Sequence, residues 1–151
     1  MKQEQITVKV KKLDKRAEIP FYSTDGSAGM DIKAVRAEPY TVSDIVYRDK
    51  IKYYTGLAFE IPEGHVMLLF PRSSVAKKEL DLTNCVGVVD SDYRGEVTAV
   101  FRATKNMPVT YNIGERIIQA IVIPYPKVIM QEVEELSKTE RGVGGYGSTG
   151  K

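Results

Sequence analysis

The chain has 151 residues, enough for one domain that hides roughly 70% of the surface its unfolded form would expose, and too few for a second ordinary domain. Its 22 lysines and arginines nearly balance 20 acids, a formal charge of +2, so no nucleic-acid or membrane partner is expected and any anion site must be local. One cysteine and one histidine exclude a disulfide framework and a cysteine–histidine zinc site. With no orienting partner near His65, they also argue against Ser-His-Asp or Cys-His catalysis.

Apolar and polar residues alternate from the start, at Ile6-Thr7-Val8-Lys9-Val10. Met1 to Gln5 lacks the apolar segment of a signal peptide, and the apolar run Val66-Met67-Leu68-Leu69-Phe70 is too short to span a bilayer. A soluble protein of the cytoplasm, or of the host cytoplasm or nucleus if viral, is expected. The alternation predicts strands over 6–10, 30–34, 51–61, 65–70, 80–89, 96–103, 116–123 and 128–133. Turn signals separate them at Asp25-Gly26, Pro62-Glu63-Gly64, Asp90 to Gly95 and Asn112-Ile113-Gly114. One short helix is predicted over 74–79, with Ser73 and Ser74 as caps. Many short strands at such spacing mean an all-β sandwich or barrel. Cys85, in Asn84-Cys85-Val86-Gly87-Val88-Val89, reads as an inert buried thiol, and His65 as structural.

Several segments combine residue types that chemistry uses. Pro71-Arg72-Ser73-Ser74 joins an apolar strand to the helix and puts a guanidinium, two hydroxyls and backbone N–H groups together, as an oxyanion cradle or as a capped helix with a surface arginine. Gly87 to Gly95 is a strand running into an acidic turn. Its Asp90 is either a carboxylate able to orient a water and take its proton or a turn residue satisfying backbone N–H groups. Tyr93, three residues on, can offer its ring to a sugar. Asp31 and Gln119 each stand in an otherwise apolar strand, where a buried polar group needs partners: structural hydrogen bonds, or substrate-bound water and metal.

The glycine-rich stretch from Arg141 to Lys151 has no core-forming pattern. Its Gly142-Val143-Gly144-Gly145-Tyr146-Gly147 matches G-x-G-x-x-G, and Gly145 to Lys151 matches G-x-x-x-x-G-K. Neither has the strand before it and the helix after it that a dinucleotide or P-loop site requires. What remains is a loose segment carrying one arginine, one aromatic ring and adjacent hydroxyls, the groups that a phosphate-bearing aromatic ligand needs.

In this order, residues 28–34, 71–74, 87–95, 114–120 and 141–150 resemble the five signature motifs of the trimeric dUTPase family. The last, Arg-Gly-x-Gly-Gly-aromatic-Gly-Ser-Thr-Gly, is the rarest. The resemblance implies an all-β, jelly-roll-like β-sandwich with one short helix, assembled as a homotrimer. Its β domain would cover residues 1–136, and an arm over 137–151 would close over a neighbouring subunit's site. It implies hydrolysis of dUTP to dUMP and pyrophosphate, which limits uracil in DNA and supplies dUMP for thymidylate synthesis.

By the same resemblance Asp90 activates the water that attacks the α-phosphorus, and Tyr93 packs under deoxyribose. Asn84, the backbone of Val88 and Val89 up to Asp90, and main chain near Thr98 read uracil. Arg72, Ser73 and Ser74 hold phosphate, Gln119 touches phosphate or a metal-bound water, and Asp31 organises the water shell of Mg²⁺, which binds through triphosphate oxygens and water. Arg141 clamps the phosphate chain, Tyr146 stacks on uracil, and Gly147, Ser148 and Thr149 touch phosphate. Two residues depart from the pattern: Ser74 where the family usually has glycine, and Tyr146 where phenylalanine is commoner. The rivals are a dCTP deaminase-like enzyme on the same fold and a dUTPase-fold regulator that binds a protein partner.

Overall fold

The structure, a computed structural model, describes residues 5–106 and 109–145. Eleven strands follow one another: β1 (Lys9–Lys12), β2 (Phe21–Tyr22), β3 (Met30–Lys33), β4 (Arg36–Val42), β5 (Ile45–Tyr54), β6 (Leu57–Glu60), β7 (His65–Pro71), β8 (Leu80–Leu82), β9 (Gly87–Val89), β10 (Thr98–Ala103) and β11 (Arg116–Pro124). They form a five-stranded sheet, β2-β3-β11-β7-β9, a four-stranded sheet, β4-β5-β10-β8, and a β1-β6 pair. This is the all-β, jelly-roll-like sandwich expected, closed by residues that alternate inward along each strand. Ile32, Met67, Leu69, Ile118 and Ala120 come from the larger sheet, and Tyr53, Leu80, Leu82, Ala99 and Phe101 from the smaller; all are buried.

An aromatic cluster sits at one end of that core. Tyr53, Phe101 and Tyr111 stand with ring centroids 5.5–6.0 Å apart in tilted and edge-on pairs, each worth about 0.5–1.5 kcal/mol beyond its burial. The Tyr53 hydroxyl accepts from the Tyr111 N–H at 3.1 Å and donates to the Tyr111 carbonyl at 3.2 Å, tying the loop before β11 to the four-stranded sheet. Buried Thr55 is satisfied likewise, donating to the Val97 carbonyl at 2.7 Å and accepting from Leu57 N–H at 3.2 Å.

Two long predicted strands are broken, each where the chain leaves one sheet for another. The run over 51–61 divides into β5 and β6 at Gly56, whose φ of +67° suits glycine. The run over 80–89 divides into β8 and β9 around Cys85, which takes φ +58° in a tight turn. That turn lifts Cys85 out of the core, so the thiol is exposed, not buried as expected.

The helix is a single 3-10 segment, Ser73–Lys77, which starts one residue earlier and ends two residues earlier than predicted. Arg72 occupies its cap position with no side-chain cap bond, so neither serine caps it. Residues 128–133 form no strand, because no described residue completes their backbone hydrogen bonds. Their side chains point to solvent, with Ile129 93% and Met130 89% exposed. β2 and β4 have no counterpart among the predicted elements.

Candidate active site

β7 ends in Pro71 and delivers Arg72 to a cavity of about 560 Å³, lined also by Ser23, Gly29, Asp31, Ser73 and Gln119. Asp31 comes from β3 and Gln119 from β11, strands paired so that the two residues stand opposite each other. A bulge in β11 between Arg116 and Ile118 sets this register. It lets Ile117 and Ile118 both enter the core while Gln119 reaches the cavity.

The centre of the cavity is an ionic cluster. Arg72 Nε donates to Asp31 Oδ1 at 2.6 Å and Nη2 to Oδ2 at 3.4 Å. Arg116 Nη1 adds a bond to Oδ2 at 2.9 Å and Ser23 Oγ another at 2.9 Å. Burial alone would raise the Asp31 carboxyl, but the bonds from Arg72 and Ser23 and the charges of Arg72 and Arg116 outweigh it and hold its pKa below the usual carboxylate range. Two guanidinium groups on one carboxylate leave a net positive charge at a partly buried site, which suits a polyanion. Gln119 Nε2 donates to the Pro71 carbonyl at 3.1 Å, fixing the amide beside Arg72. Arg72 Nη1 reaches Ser74 Oγ at 3.4 Å, while Ser73 is exposed on the cavity wall.

Sequence reasoning anticipated Asp31, Arg72, Ser73, Ser74 and Gln119 in this neighbourhood. It missed Arg116 and Ser23. Arg116 carried a signal, as a cation two residues after Gly114 at the head of a strand that already held Gln119; Ser23, on the short strand-to-turn segment before Gly26, carried none.

The remaining predicted residues lie elsewhere in the chain. β9 pairs antiparallel with β7, Met67 opposite Val89 and Leu69 opposite Gly87. Asp90 therefore falls beside the His65 end of β7 and Arg72 at the other end, roughly 20 Å apart at about 3.4 Å per residue. Asp90 is exposed and lines a second cavity, of about 820 Å³, with Lys9, Glu60, Asp92, Arg94 and Lys127. The Asp90–Gly95 turn closes no hairpin between β9 and β10. β9 pairs with β7, while β10 pairs with β5 and β8, so the turn carries the chain between sheets. β8 and β10 pair antiparallel with β9 between them in the chain, and the bond from Thr83 N–H to the Val100 carbonyl at 2.9 Å continues that pairing, which brings Asn84 near the Thr98 end of β10.

β9 is the edge of its sheet, so among the described residues one row of backbone groups around Val88 is unpaired. Val88 is exposed, but Val89 is buried in the core and can offer only its backbone. Tyr93 is 47% exposed and folds its ring over Gly95, its hydroxyl donating to the Glu96 carbonyl at 3.2 Å. Arg141 is exposed, its Nε donating to the Gly144 carbonyl at 3.0 Å within the same turn. Tyr146, Gly147, Ser148 and Thr149 lie outside the described residues.

The class defined by this geometry is a β-sandwich protein with an arginine-centred cationic cradle at one end of β7 and, at the other, an acidic turn beside an open strand edge. The comparisons narrow it. The chain matches the dUTPase family over residues 15–150. It is 41% identical over 150 residues to the deoxyuridine 5'-triphosphate nucleotidohydrolase of Anaeromyxobacter sp. (strain Fw109-5), covering 97% of this chain and 99% of that one. To the enzyme of the same name from Hydrogenobaculum sp. (strain Y04AAS1) it is 39% identical over 145 residues, 93% of this chain and 96% of the relative. The solved dUTPase of Staphylococcus bacteriophage 80alpha with dUPNHPP superimposes with a TM-score of 0.77 at 28% identity, over 97% of this chain and all of the other. That phage protein is described as controlling transfer of virulence genes by a proto-oncogenic G protein-like mechanism. The chain belongs to the dUTPase family.

Proposed function

We propose that this protein is a homotrimeric dUTP diphosphatase whose three sites each combine residues of different subunits. The observation that carries the reading is the separation within one chain of Asp90 from the Arg72–Asp31–Gln119 cradle. A carboxylate roughly 20 Å from the phosphate ligands cannot serve a single nucleotide held by the same subunit, since a general base must stand within hydrogen-bond reach of its water. A second copy that brings its cradle to this copy's Asp90 removes the difficulty. The bare side chains of Val128, Ile129, Met130 and Leu136 support the same assembly, because a run of exposed large apolar residues needs a covering surface.

In this reading Asp90 takes a proton from a water, whose oxygen attacks the α-phosphorus in line. The bond to the bridging oxygen breaks, pyrophosphate leaves with the electron pair and dUMP remains. Arg72, with Ser73, Ser74 and Gln119, holds the phosphate chain, and Arg141 of a borrowed arm spanning 137–151 clamps it. Tyr93 packs under deoxyribose, where a 2′-hydroxyl would collide. The outer edge of β9 around Val88, with Asn84 and main chain near Thr98, pairs with uracil. A cytosine there would leave buried polar groups unpaired, and a thymine methyl has no room. Tyr146, Gly147, Ser148 and Thr149 would complete the closure.

Mg²⁺ fits this cradle only as a passenger of the nucleotide. Among the described residues no three acid, histidine or cysteine side chains are placed to hold a metal ion together, and the one cradle carboxylate, Asp31, is already engaged by two arginines. Bound to the triphosphate with most of its own waters, the ion would neutralise charge that develops on the phosphate oxygens, and Asp31 would act on its water shell alone.

The test is a panel of Mg²⁺ with each deoxynucleoside triphosphate and UTP, assayed for pyrophosphate and for ammonia. Pyrophosphate from dUTP alone supports the reading; ammonia from dCTP points to a deaminase. Equal cleavage of UTP or dCTP overturns the proposed specificity.

A second reading, a role in binding a regulatory protein, gains from one feature. The β4–β5 hairpin carries Val42, Ile45 and Val46 exposed at its tip, with no described residue covering them. If the protein acts this way, Asp90→Asn abolishes hydrolysis and leaves the partner-dependent effect intact. No helix among the described residues is long and apolar enough to cross a membrane, and action in the cytoplasm, or in a host cell's cytoplasm or nucleus, is part of the proposal.

A further inference from the structure

An ion pair that the proposed reaction leaves unassigned joins two segments that supply the cradle. Lys78 ends the 3-10 segment Ser73–Lys77, and Glu115 is the last residue before β11. The Lys78 ammonium donates to the two carboxylate oxygens of Glu115 at 3.1 and 3.0 Å and to the Thr110 carbonyl at 3.2 Å. Those three acceptors match its three N–H donors. Its Nζ also stands 4.9 Å from the ring centroid of Tyr111, which Tyr53 and Phe101 anchor in the core. The lysine side chain is only 16% exposed, so this pair is sheltered from the solvent and salt that make most surface pairs weak. The Asn112 N–H, donating to the same carboxylate at 2.5 Å, and Lys78 together hold the Glu115 carboxyl below its ordinary value, so both partners stay charged near neutral pH.

Each partner leads back to the cradle through printed bonds of the backbone. The Lys78 N–H donates to the Val75 carbonyl at 2.8 Å, and the Val75 N–H to the Arg72 carbonyl at 2.9 Å, so Lys78 holds the turn that begins at Arg72. Glu115 is followed directly by Arg116, whose guanidinium donates to Asp31 Oδ2 at 2.9 Å. The Glu115 carbonyl accepts from the Ala34 N–H at 3.1 Å, three residues beyond Asp31 on the same stretch of chain. The turn needs such a tie. It has no fully buried residue and no side-chain cap, and Val75 alone leans on the core. At the cradle Arg72 and Arg116 must be kept together on one carboxylate against their mutual repulsion, and the Lys78–Glu115 pair fastens the end of one arginine's turn to the head of the other's strand. Neither Lys78 nor Glu115 lines the cavity itself.

We propose that Lys78 and Glu115 are positioning residues, their ion pair bracing the turn that carries Arg72 against the head of β11 so that the Arg72 guanidinium stays on Asp31, beside Arg116, in the posture that receives the phosphate chain. The brace acts as a unit: a lysine without its carboxylate, or a carboxylate without its lysine, no longer joins the two segments. The inference rests on the proposed phosphate-binding role of Arg72.

Four proteins test it: the natural chain, Lys78→Met, Glu115→Gln and the double variant, each first checked by thermal melting. KM and kcat for dUTP are measured with Mg²⁺, and binding of inorganic pyrophosphate with Mg²⁺ is measured by calorimetry. Each single change is expected to raise KM and weaken pyrophosphate binding about fivefold, with kcat little altered, and the double variant to match either single one, the signature of coupled side chains. Glu115→Gln keeps the side chain's shape and an oxygen for the Asn112 N–H, so it carries the test alone if Lys78→Met does not fold. Multiplying effects in the double variant overturn the proposal. So do variants that melt earlier yet match the natural chain in KM and pyrophosphate binding, since a pair that only stabilises the fold would behave that way. Should the natural chain fail to cleave dUTP, the functional reading falls, and the calorimetric cycle still decides whether Lys78 and Glu115 shape the cradle as one unit.

Discussion

Gly29 lies so close to Gln119 that a β-carbon at residue 29 would stand 2.6 Å from Gln119 Oε1 and 3.3 Å from Gln119 Cβ. The amide could swing its oxygen aside, but its Cβ is fixed to β11, so relief must come from moving one strand against the other or from releasing the bond to the Pro71 carbonyl. Both outcomes loosen the wall beside Arg72. Gly29→Ala is expected to cost about 1–3 kcal/mol of stability, as overpacking does in a tight contact. It should also raise KM for dUTP about tenfold while kcat changes less. Chemical denaturation and steady-state kinetics on the same preparation check the two effects. An alanine variant with unchanged KM would show that Gln119 plays no part in binding phosphate.

Asp31 makes the cradle sensitive to acid in a predictable direction. Its carboxyl is held below the ordinary value by Arg72, Ser23 and Arg116 against the opposing effect of burial. A group whose folded pKa is depressed contributes stability that is fully present above its unfolded pKa, about 3.9 for aspartate, and is lost as pH falls through the lower folded value. Asp31→Asn removes the charge that two guanidinium groups share. The variant should be less stable than the natural chain by a few kcal/mol at pH 7, since it leaves those cations without their counter-ion. The gap should narrow steadily below about pH 4. Urea unfolding of both proteins from pH 3 to pH 7 measures it, and a gap independent of pH would mean that the carboxylate is not what holds the arginines.

These residues also show how far the sequence reads. Period-two alternation located β3, β7, β10 and β11 closely, because each has one face on the core and its side chains must alternate. It overran the breaks at Gly56 and Cys85. Apolar residues continue through both points, while the chain there changes sheets, and only backbone conformation records that. Asp31, Arg72 and Gln119 were legible as polar residues in apolar surroundings. Their convergence was not, since it depends on a strand register and a bulge that no local pattern specifies. Arg116 carried a local signal as a cation at the head of the Gln119 strand, but its approach to Asp31 depends on the same register. Tyr111 reads as one more core aromatic, although its hydroxyl has no partner among the described residues.

The arm beyond residue 136 is expected to be dispensable for folding. Among its described residues Arg141, Gly142 and Gly144 bond only within their own turn, and Val143 is fully exposed. A chain ended at residue 136 should melt at the same temperature as the whole protein. Its kcat/KM for dUTP should fall by two orders of magnitude or more, about the effect of removing a charged group from a developing transition state. Retained activity would show that Arg141 and the glycine-rich segment take no part in catalysis, and a lowered melting point would show that the arm belongs to the folded body.

Asp90 and Arg72, at opposite ends of the β7–β9 pair, give the sharpest test of a shared site. Asp90→Asn removes the proposed base and should lower kcat by at least about 10²-fold with KM nearly unchanged. Arg72→Ala removes the centre of the cradle and should be as inactive at ordinary substrate levels. If each site takes its base from one subunit and its cradle from another, then unfolding the two inactive variants together and refolding them mixed must restore activity. Some interfaces then join the intact Asp90 of an Arg72→Ala chain to the intact Arg72 of an Asp90→Asn chain. For random mixing in a cyclic trimer this occurs at roughly a quarter of sites, the product of two even choices. Recovery near that level, absent when the separately refolded variants are simply combined, would establish that base and cradle act across a subunit boundary. Complete silence of the mixture, with mixed trimers demonstrated by mass spectrometry, would require both residues to act from the same chain across a distance that no single nucleotide bridges.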